Sequence, residues 1–242
     1  MEPTAAPADT AIYAIGDIHG CPDLLDTLHG RILDHAATLG VSRKVAVYLG
    51  DYVDRGQDSR GVIDMLIKAP LPDFECVFLK GNHEDAMMRF LTDSSVGPGW
   101  MGFGGDTTLL SYGVDCQSPP AAQEDVLGFL QNQFVRNLPT SHRQFLENLV
   151  LSHSEGDYFF AHAGVRPGVA LDDQRPEDLI WIREAFLESP QAFGKMVVHG
   201  HSIRLEPEFR PNRIGIDTGA VFTGVLTCLA LWGEERDVLQ TG

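Results

Sequence analysis

Residues 44–56 read KVAVYLGDYVDRG. The first half is a short apolar run rich in β-forming residues. The second half is a turn that carries Asp51, Asp54 and Arg55. A buried strand that stops abruptly in charged residues is what a sheet looks like where its carboxyl edge binds a ligand. The design recurs. AIYAI (11–15) is followed by GDIHG, ECVFL (75–79) leads into GNHE, YFFA (158–161) into HAG, MVV (196–198) into HGHS, and RIGI (213–216) into DTG. One more such run is LTCLALW (226–232). Segments 22–39, 57–69 and 84–92 place apolar residues at helical spacing. Strand, loop and helix in alternation predict an α/β fold with a largely buried sheet, and the closer spacing of the later runs predicts a second sheet or an antiparallel portion. Five or six loops then bring Asp, Asn, His and Arg to one rim.

Composition narrows the classes. The chain has 242 residues, 43% of them hydrophobic, enough for one large core. We expect a single domain over 11–242, with a mostly helical insertion or cap at about 94–155 and a disordered tail over 1–10. The opening MEPTAAPADT has neither a basic start nor an apolar stretch, so it does not read as a signal peptide. No apolar run reaches the ~18 residues of a membrane span. Cys21, Cys76, Cys116 and Cys228 show no paired spacing, which predicts a reduced, cytoplasmic protein. The net charge of −16 argues against nucleic acid as a partner, because phosphate neutralisation by cationic residues supplies most of that affinity. No membrane partner is expected either, and the chain is expected to be a monomer.

The loop residues have a common chemistry. Asp17 and His19 are two apart and can point to one side of an extended segment. A carboxylate with an imidazole suits Mn²⁺, Fe or Zn²⁺. Asp51 could bridge two such ions, and Arg55 offers a planar fork for phosphate oxygens. Asn82 can ligate without adding charge. His83 reads either as a ligand or as a general acid, with Asp54 as the residue to hold it upright. His162 and His201 bring the donors to six: Asp17, His19, Asp51, Asn82, His162 and His201.

GDIHG, GDYVDRG, GNHE, HAG and GHS, in that order over roughly 11–232, resemble the metal-dependent phosphoprotein phosphatase family of the calcineurin-like metallophosphoesterase superfamily. LIWIRE and IDTGAVFTG are similar to segments of its small bacterial and phage branch. The resemblance implies a four-layer α-β-β-α sandwich of two mixed sheets. It implies two divalent metal ions, Mn²⁺ being the common activator in similar bacterial enzymes, with Fe and Zn²⁺ admitted by the same donors. It places Asp17, His19 and Asp51 on one metal and Asp51, Asn82, His162 and His201 on the other. It makes His83 the general acid, Asp54 its orienting partner, and Arg55 and Arg183 the phosphate-binding arginines. The implied activity is dephosphorylation of phosphorylated protein or peptide, at phosphoserine or phosphothreonine and with phosphotyrosine open, by in-line attack of a metal-bridging hydroxide. The alternative is hydrolysis of dinucleoside polyphosphates or another small phosphoanhydride. That branch is similar but typically lacks an acidic residue at the position of Asp54. A non-catalytic binding module is disfavoured because none of the six donors departs from the pattern.

Other signals are weaker. Gly97, Gly99 and Gly102 satisfy G-x-G-x-x-G but follow no strand. That stretch is expected to be a flexible wall, with Trp100, Met101 and Phe103 as candidate substrate contacts. His29, His35, His142 and His153 read as structural or surface residues. Asp217 is expected to hydrogen-bond a ligand histidine, and His199 to be a structural neighbour of the site. Arg166 is given no role.

Overall fold

The computed structural model describes residues 4–68, 71–116 and 125–242. Its strands are β1 (Thr10–Ile15), β2 (Arg43–Tyr48), β3 (Glu75–Phe78), β4 (Ser152–Glu155), β5 (Tyr158–Ala161), β6 (Met196–His199), β7 (Glu208–Phe209), β8 (Arg213–Gly215), β9 (Thr227–Trp232) and β10 (Glu235–Gln240). They form two mixed five-stranded sheets, of order β10-β9-β1-β2-β3 and β4-β5-β6-β8-β7. In the first, β1, β2 and β3 are parallel, β9 runs antiparallel to β1, and β10 antiparallel to β9. In the second, β5, β6 and β8 are parallel, with β4 and β7 antiparallel at the edges. Strands β4, β7 and β10 are additions to the sequence reading.

Alternation along the strands sorts the side chains into layers. Ile12, Ala14, Val45, Val47, Leu229 and Leu231 turn inward and meet Phe160, Val198, Ile214 and Ile216 of the other sheet. Their neighbours Tyr13, Ile15, Ala46, Tyr48, Cys228 and Ala230 turn outward under helices. The outer face of the second sheet, with Phe159, Ala161 and Val197, is covered by Leu179, Ile180 and Phe186. The four-layer α-β-β-α sandwich is therefore present. One thread joins the two sheets at an edge. Leu79 and Val150 form an isolated parallel bridge, in which Val150 N–H donates to the Phe78 carbonyl at 3.1 Å and Lys80 N–H to the Val150 carbonyl at 2.8 Å.

Helix α1 (Pro22–Thr38) starts at Pro22 and buries Leu25, Leu28, Ile32 and Ala36 along one stripe. Helix α2 (Ser59–Ile67) starts later than the periodicity implies, because Asp58 caps it by accepting from Gly61 N–H at 2.7 Å. Helix α3 (Asn82–Phe90) starts earlier, so Asn82 and His83 stand on its first turn instead of in a loop.

The segment expected as an insertion is mostly helical where described: α4 (Gly97–Trp100), α5 (Asp106–Ser111), α6 (Val126–Asn137) and α7 (Thr140–Glu147). The expected helical residues 121–124 lie outside the described residues. Leu109, Tyr112, Leu130, Phe134 and Leu146 share one core with Tyr48 and Tyr13, so this segment is part of the outer layer over the first sheet. Helices α8 (Pro176–Trp181) and α9 (Glu184–Leu187) cover the second sheet, and α10 (Ala220–Thr223) precedes β9.

The expected disorder of the tail does not hold for residues 4–10. Ala6 is buried and its N–H donates to the Gly233 carbonyl at 2.8 Å, Asp157 N–H donates to Ala5, and Thr10 already pairs with Arg43 in β1. Among the described residues no helix is long and apolar enough to cross a membrane.

Candidate active site

The carboxyl ends of β1, β2, β5 and β6, with the first turn of α3, converge on one rim. Asp17, His19, Asp51, Asp54, Asn82, His83, His162 and His201 are all buried there. The backbone reaches this rim under strain. Seven non-glycine residues among those described have φ in the left-handed region, and five are His19, Asp51, Asp54, Arg55 and His201, at 46°, 52°, 72°, 66° and 62°. Each costs on the order of 1–3 kcal/mol, and such strain collects where function fixes the backbone. Two glycines let the chain close on the carboxylates. A Cβ on Gly81 would lie 2.1 Å from Asp51 Oδ1, and one on Gly200 would lie 2.0 Å from Asp17 Oδ1.

A buried carboxylate the sequence reading passed over fastens this arrangement. Glu84 accepts four backbone N–H groups: those of Asp51 at 2.9 Å, Tyr52 at 2.7 Å, Val53 at 3.2 Å and Gly81 at 2.9 Å. It thereby ties the turn after β2 to the start of α3. The available signal was its place three residues after Gly81, the reach-back position of a capping box.

The donors surround Asp51. Its Oδ2 lies 3.6 Å from His19 Nε2, 3.8 Å from His83 Nε2 and 3.4 Å from His162 Nε2. His162 Nε2 in turn lies 2.9 Å from Asn82 Oδ1 and 3.1 Å from His201 Nδ1. The Nδ1 atoms of His19 and His162 face the carbonyls of Val53 at 2.8 Å and Leu49 at 2.9 Å. Those carbonyls fix the ring orientations and aim both Nε2 atoms inward, as ligand histidines require. Two triplets have all donor atoms within 4.8 Å of one another: His19–Asp51–His83 and Asp51–His162–His201. Asp17 comes in through Oδ2, which accepts from His201 N–H at 3.0 Å. Asp17 Oδ1 and His201 Nε2 are buried with no hydrogen-bond partner among the described residues.

Electrostatics favours a cation at this place. Burial pushes His19 down to about 3 and, with the charge of His162, His201 down to about 2, so both rings are neutral and ready to donate lone pairs. Burial, reinforced by Asp217, pushes the Asp17 carboxyl well up. Burial opposes the charge on His162, yet Asp51, Asp17 and Glu84 together outweigh it and raise the ring to about 10. The buried side chains of Asp17, Asp51, Glu84 and Asp217 thus share a region in which protonated His162 is a neighbouring positive charge. Divalent cations fit this N/O donor set, the unpartnered Asp17 Oδ1 and His201 Nε2, and the glycine-backed carboxylates.

Beside the donors stands a second unit. His83 Nδ1 is 2.7 Å from Asp54 Oδ2. The Asp54 carboxylate also accepts from Trp100 Nε1 at 2.9 Å and Thr108 Oγ1 at 2.7 Å. Burial works against a charged His83, but the Asp51 charge and the Asp54 hydrogen bond outweigh it, and its pKa lies above the ordinary imidazole value. Trp100 is therefore not a substrate contact. It is 1% exposed and spends its N–H on Asp54. Met101 is partly buried against the core, and Phe103 is exposed.

Arg55 bridges the two units, with Nη1 2.8 Å from His19 Nε2 and Nη2 3.1 Å from His83 Nε2. Arg55 and Arg183 both line a cavity of about 290 Å³ together with His201, Ser202, Ile203 and Arg204. A larger cavity of about 610 Å³ shares Glu184, Leu187 and Arg204 with it.

Several residues lie apart from the donors. His199 packs edge-on to Phe186, with Nδ1 3.0 Å from the Gly200 carbonyl and Nε2 3.3 Å from Arg213. Asp217 does not make the expected bond to a histidine. Its Oδ1 accepts from Gly219 N–H at 2.9 Å, inside its own turn. Arg166 forks onto Asp178. His29, His35 and His142 each meet a tyrosine hydroxyl, those of Tyr48, Tyr13 and Tyr112. His153 lies 3.4 Å from Glu155.

Comparison with known proteins gives a consistent setting. The profile of the calcineurin-like phosphoesterase family matches residues 10–212. A bis(5'-nucleosyl)-tetraphosphatase PrpE of Anoxybacillus flavithermus is 28% identical over 232 residues, spanning 89% of this chain and 88% of that one. A solved structure assigned as a diadenosine tetraphosphatase superposes with TM-score 0.60 at 20% identity, over 97% of this chain and 98% of that one. A cold-active protein tyrosine phosphatase superposes with TM-score 0.60 at 17% identity, over 97% and 81%. The two structures share the fold. The sequence relative carries a nucleotide-hydrolase name although Asp54 is present here, so the expected phosphoprotein phosphatase branch is not singled out.

Proposed function

The chain belongs to the calcineurin-like phosphoesterase family, and on that premise we propose that it is a dinuclear-metal phosphomonoesterase that removes phosphate from phosphoserine and phosphothreonine in proteins. The observation that supports this reading is the His83–Asp54 pair, held at 2.7 Å and braced by Trp100 and Thr108. A serine alkoxide is a poor leaving group and needs a proton as it departs. An elaborately positioned imidazole acid has its greatest value on that kind of bond.

In this reading Asp17, His19 and Asp51 hold one divalent ion, and Asp51, Asn82, His162 and His201 hold the other. Such ions supply Lewis acidity, lowering the pKa of the attacking water and neutralising phosphoryl oxygens. The protein does the rest. Arg55 leaves the Nε2 atoms of His19 and His83 and turns to the phosphate, where Arg183 meets it from the link between α8 and α9. This move frees His19 to ligate and lets His83 Nε2 carry the proton that it gives to the leaving oxygen. Asp54 holds the ring by Nδ1 and stabilises its charge until then. Phosphoryl transfer asks for little beyond such positioning and charge.

A second reading, hydrolysis of dinucleoside tetraphosphates, is favoured by the name of the A. flavithermus relative. One panel separates the two. The purified protein is chelated and then restored with Mn²⁺, Fe²⁺ or Zn²⁺. Each form is assayed on phosphoserine, phosphothreonine and phosphotyrosine peptides and on diadenosine tetraphosphate. We expect the highest kcat/KM on the phosphoserine or phosphothreonine peptide. Dominant cleavage of the tetraphosphate overturns the first reading in favour of the second.

A further inference from the structure

Two large aromatic rings are left exposed at the rim of the site, and each is held there by buried neighbours. Phe103 is 48% exposed on the turn Met101–Gly105. Buried Trp100 anchors the turn on one side, and the Gly104 carbonyl anchors it on the other by accepting from Arg55 N–H at 3.1 Å. Trp181 is 40% exposed at the end of α8, while Leu179, Ile180 and Ile182 around it are buried. The two residues come from opposite sides of the sandwich, yet their ring centroids lie 6.1 Å apart with planes inclined at 56°. Phe103 also lies 6.3 Å from the His83 ring, and Trp181 lies 6.2 Å from the His201 ring. The pair therefore spans the mouth between the proposed acid, His83, and a proposed metal ligand, His201.

Leaving this much apolar ring in water is unfavourable unless something covers it. The chemistry around it says what. Arg55 is fastened to the turn that carries Phe103, and Arg183 is two residues beyond Trp181; both arginines line the adjacent cavity. A ligand with a phosphate at one end and a flat ring at the other matches cation and ledge together.

We propose that Phe103 and Trp181 form a ring-binding ledge that takes the planar part of a phosphorylated substrate and sets preference among substrates. This rests on the reading of the site as a phosphoester hydrolase; within it the ledge takes the ring of a phosphotyrosine or of a nucleotide, and a phosphoserine substrate leaves it unfilled. A phenol ring and a nucleobase offer the same flat face, so the test has two arms. Each arm compares a ring-bearing substrate with a ring-free one of like phosphate chemistry: phosphotyrosine against phosphoserine peptide, and diadenosine tetraphosphate against inorganic tetrapolyphosphate.

For Trp181→Ala, the ratio of kcat/KM, ring-bearing over ring-free, is expected to fall ~10-fold in at least one arm, chiefly through KM, as the loss of one stacking face does. Trp181→Phe should restore most of it. Phe103→Leu, which keeps apolar bulk, should lower the same ratio and serves if Trp181→Ala does not fold. The arm with the larger fall identifies the ring. Equal losses on ring-bearing and ring-free substrates, or no loss in either arm, overturn the ledge. They leave the hydrolase reading standing, since the ring-free substrates report on that separately.

Discussion

His83→Asn is expected to lower kcat by ~10²–10⁴-fold on a phosphoserine peptide and by far less on p-nitrophenyl phosphate, whose leaving group departs without help. The prediction follows from where His83 points. Its Nδ1 is committed to Asp54, so only Nε2 can face substrate once Arg55 turns away, and that atom lies 3.8 Å from Asp51 Oδ2 at the edge of the donor cluster. The same position would let the ring ligate an ion alongside His19 and Asp51. Metal content separates the roles. An acid can be removed with both ions still bound, so elemental analysis should give the same stoichiometry for the variant and the parent chain. A lost ion, or equal rate losses on the two substrates, would transfer His83 from the acid to the ligand set.

Asp51→Asn is expected to reduce metal content by at least one ion per chain. The rate should fall by more than the ~10–100-fold that loss of an outer-shell partner costs. Asp51 has three imidazoles within 3.4–3.8 Å of one carboxylate oxygen, so its charge binds the cluster from the middle. Asparagine is the most conservative replacement available. It keeps an oxygen for the His83 N–H bond now made at 3.1 Å, and it tolerates the left-handed backbone at φ 52°. A fold defect is thus avoided, and circular dichroism should match the parent. Unchanged metal content would end the bridging assignment.

Much of this was visible in the sequence because strand and site coincide. The inner parallel strands β1, β2, β5 and β6 are mostly buried and read as plain apolar runs, so their ends are easy to find, and the donors sit at those ends. The edges were harder. SHSE in β4 and ERDVLQ in β10 are half-solvated edge strands, paired on one side only, and their polar side chains hide the extended backbone. Contacts that depend on tertiary closure were hidden for another reason. Trp100 read as an exposed aromatic in a glycine-rich wall, but its destination is Asp54, 46 positions back in the chain. Thr108 reaches the same carboxylate from 54 positions away. No local pattern marks either one. Phe103 and Trp181 are the same kind of case, since neither segment alone shows that the rings meet.

The edge bridge between Leu79 and Val150 gives the sandwich the build of a hinged case. Its two leaves are joined by backbone there and where Asp157 N–H donates to the Ala5 carbonyl, and across the rim they face each other through side chains. Four of the six proposed donors belong to one leaf and two, His162 and His201, to the other, so ions held by these residues would act as the clasp. Chelation should therefore lower Tm as well as abolish turnover. At ion concentrations about 100-fold above Kd the clasp is worth ~2.7 kcal/mol. A scanning calorimetry trace that does not move on adding EDTA would show the leaves closing without it. In a chain fastened this way, ions held by the proposed donors would serve the chemistry and keep the case shut at once.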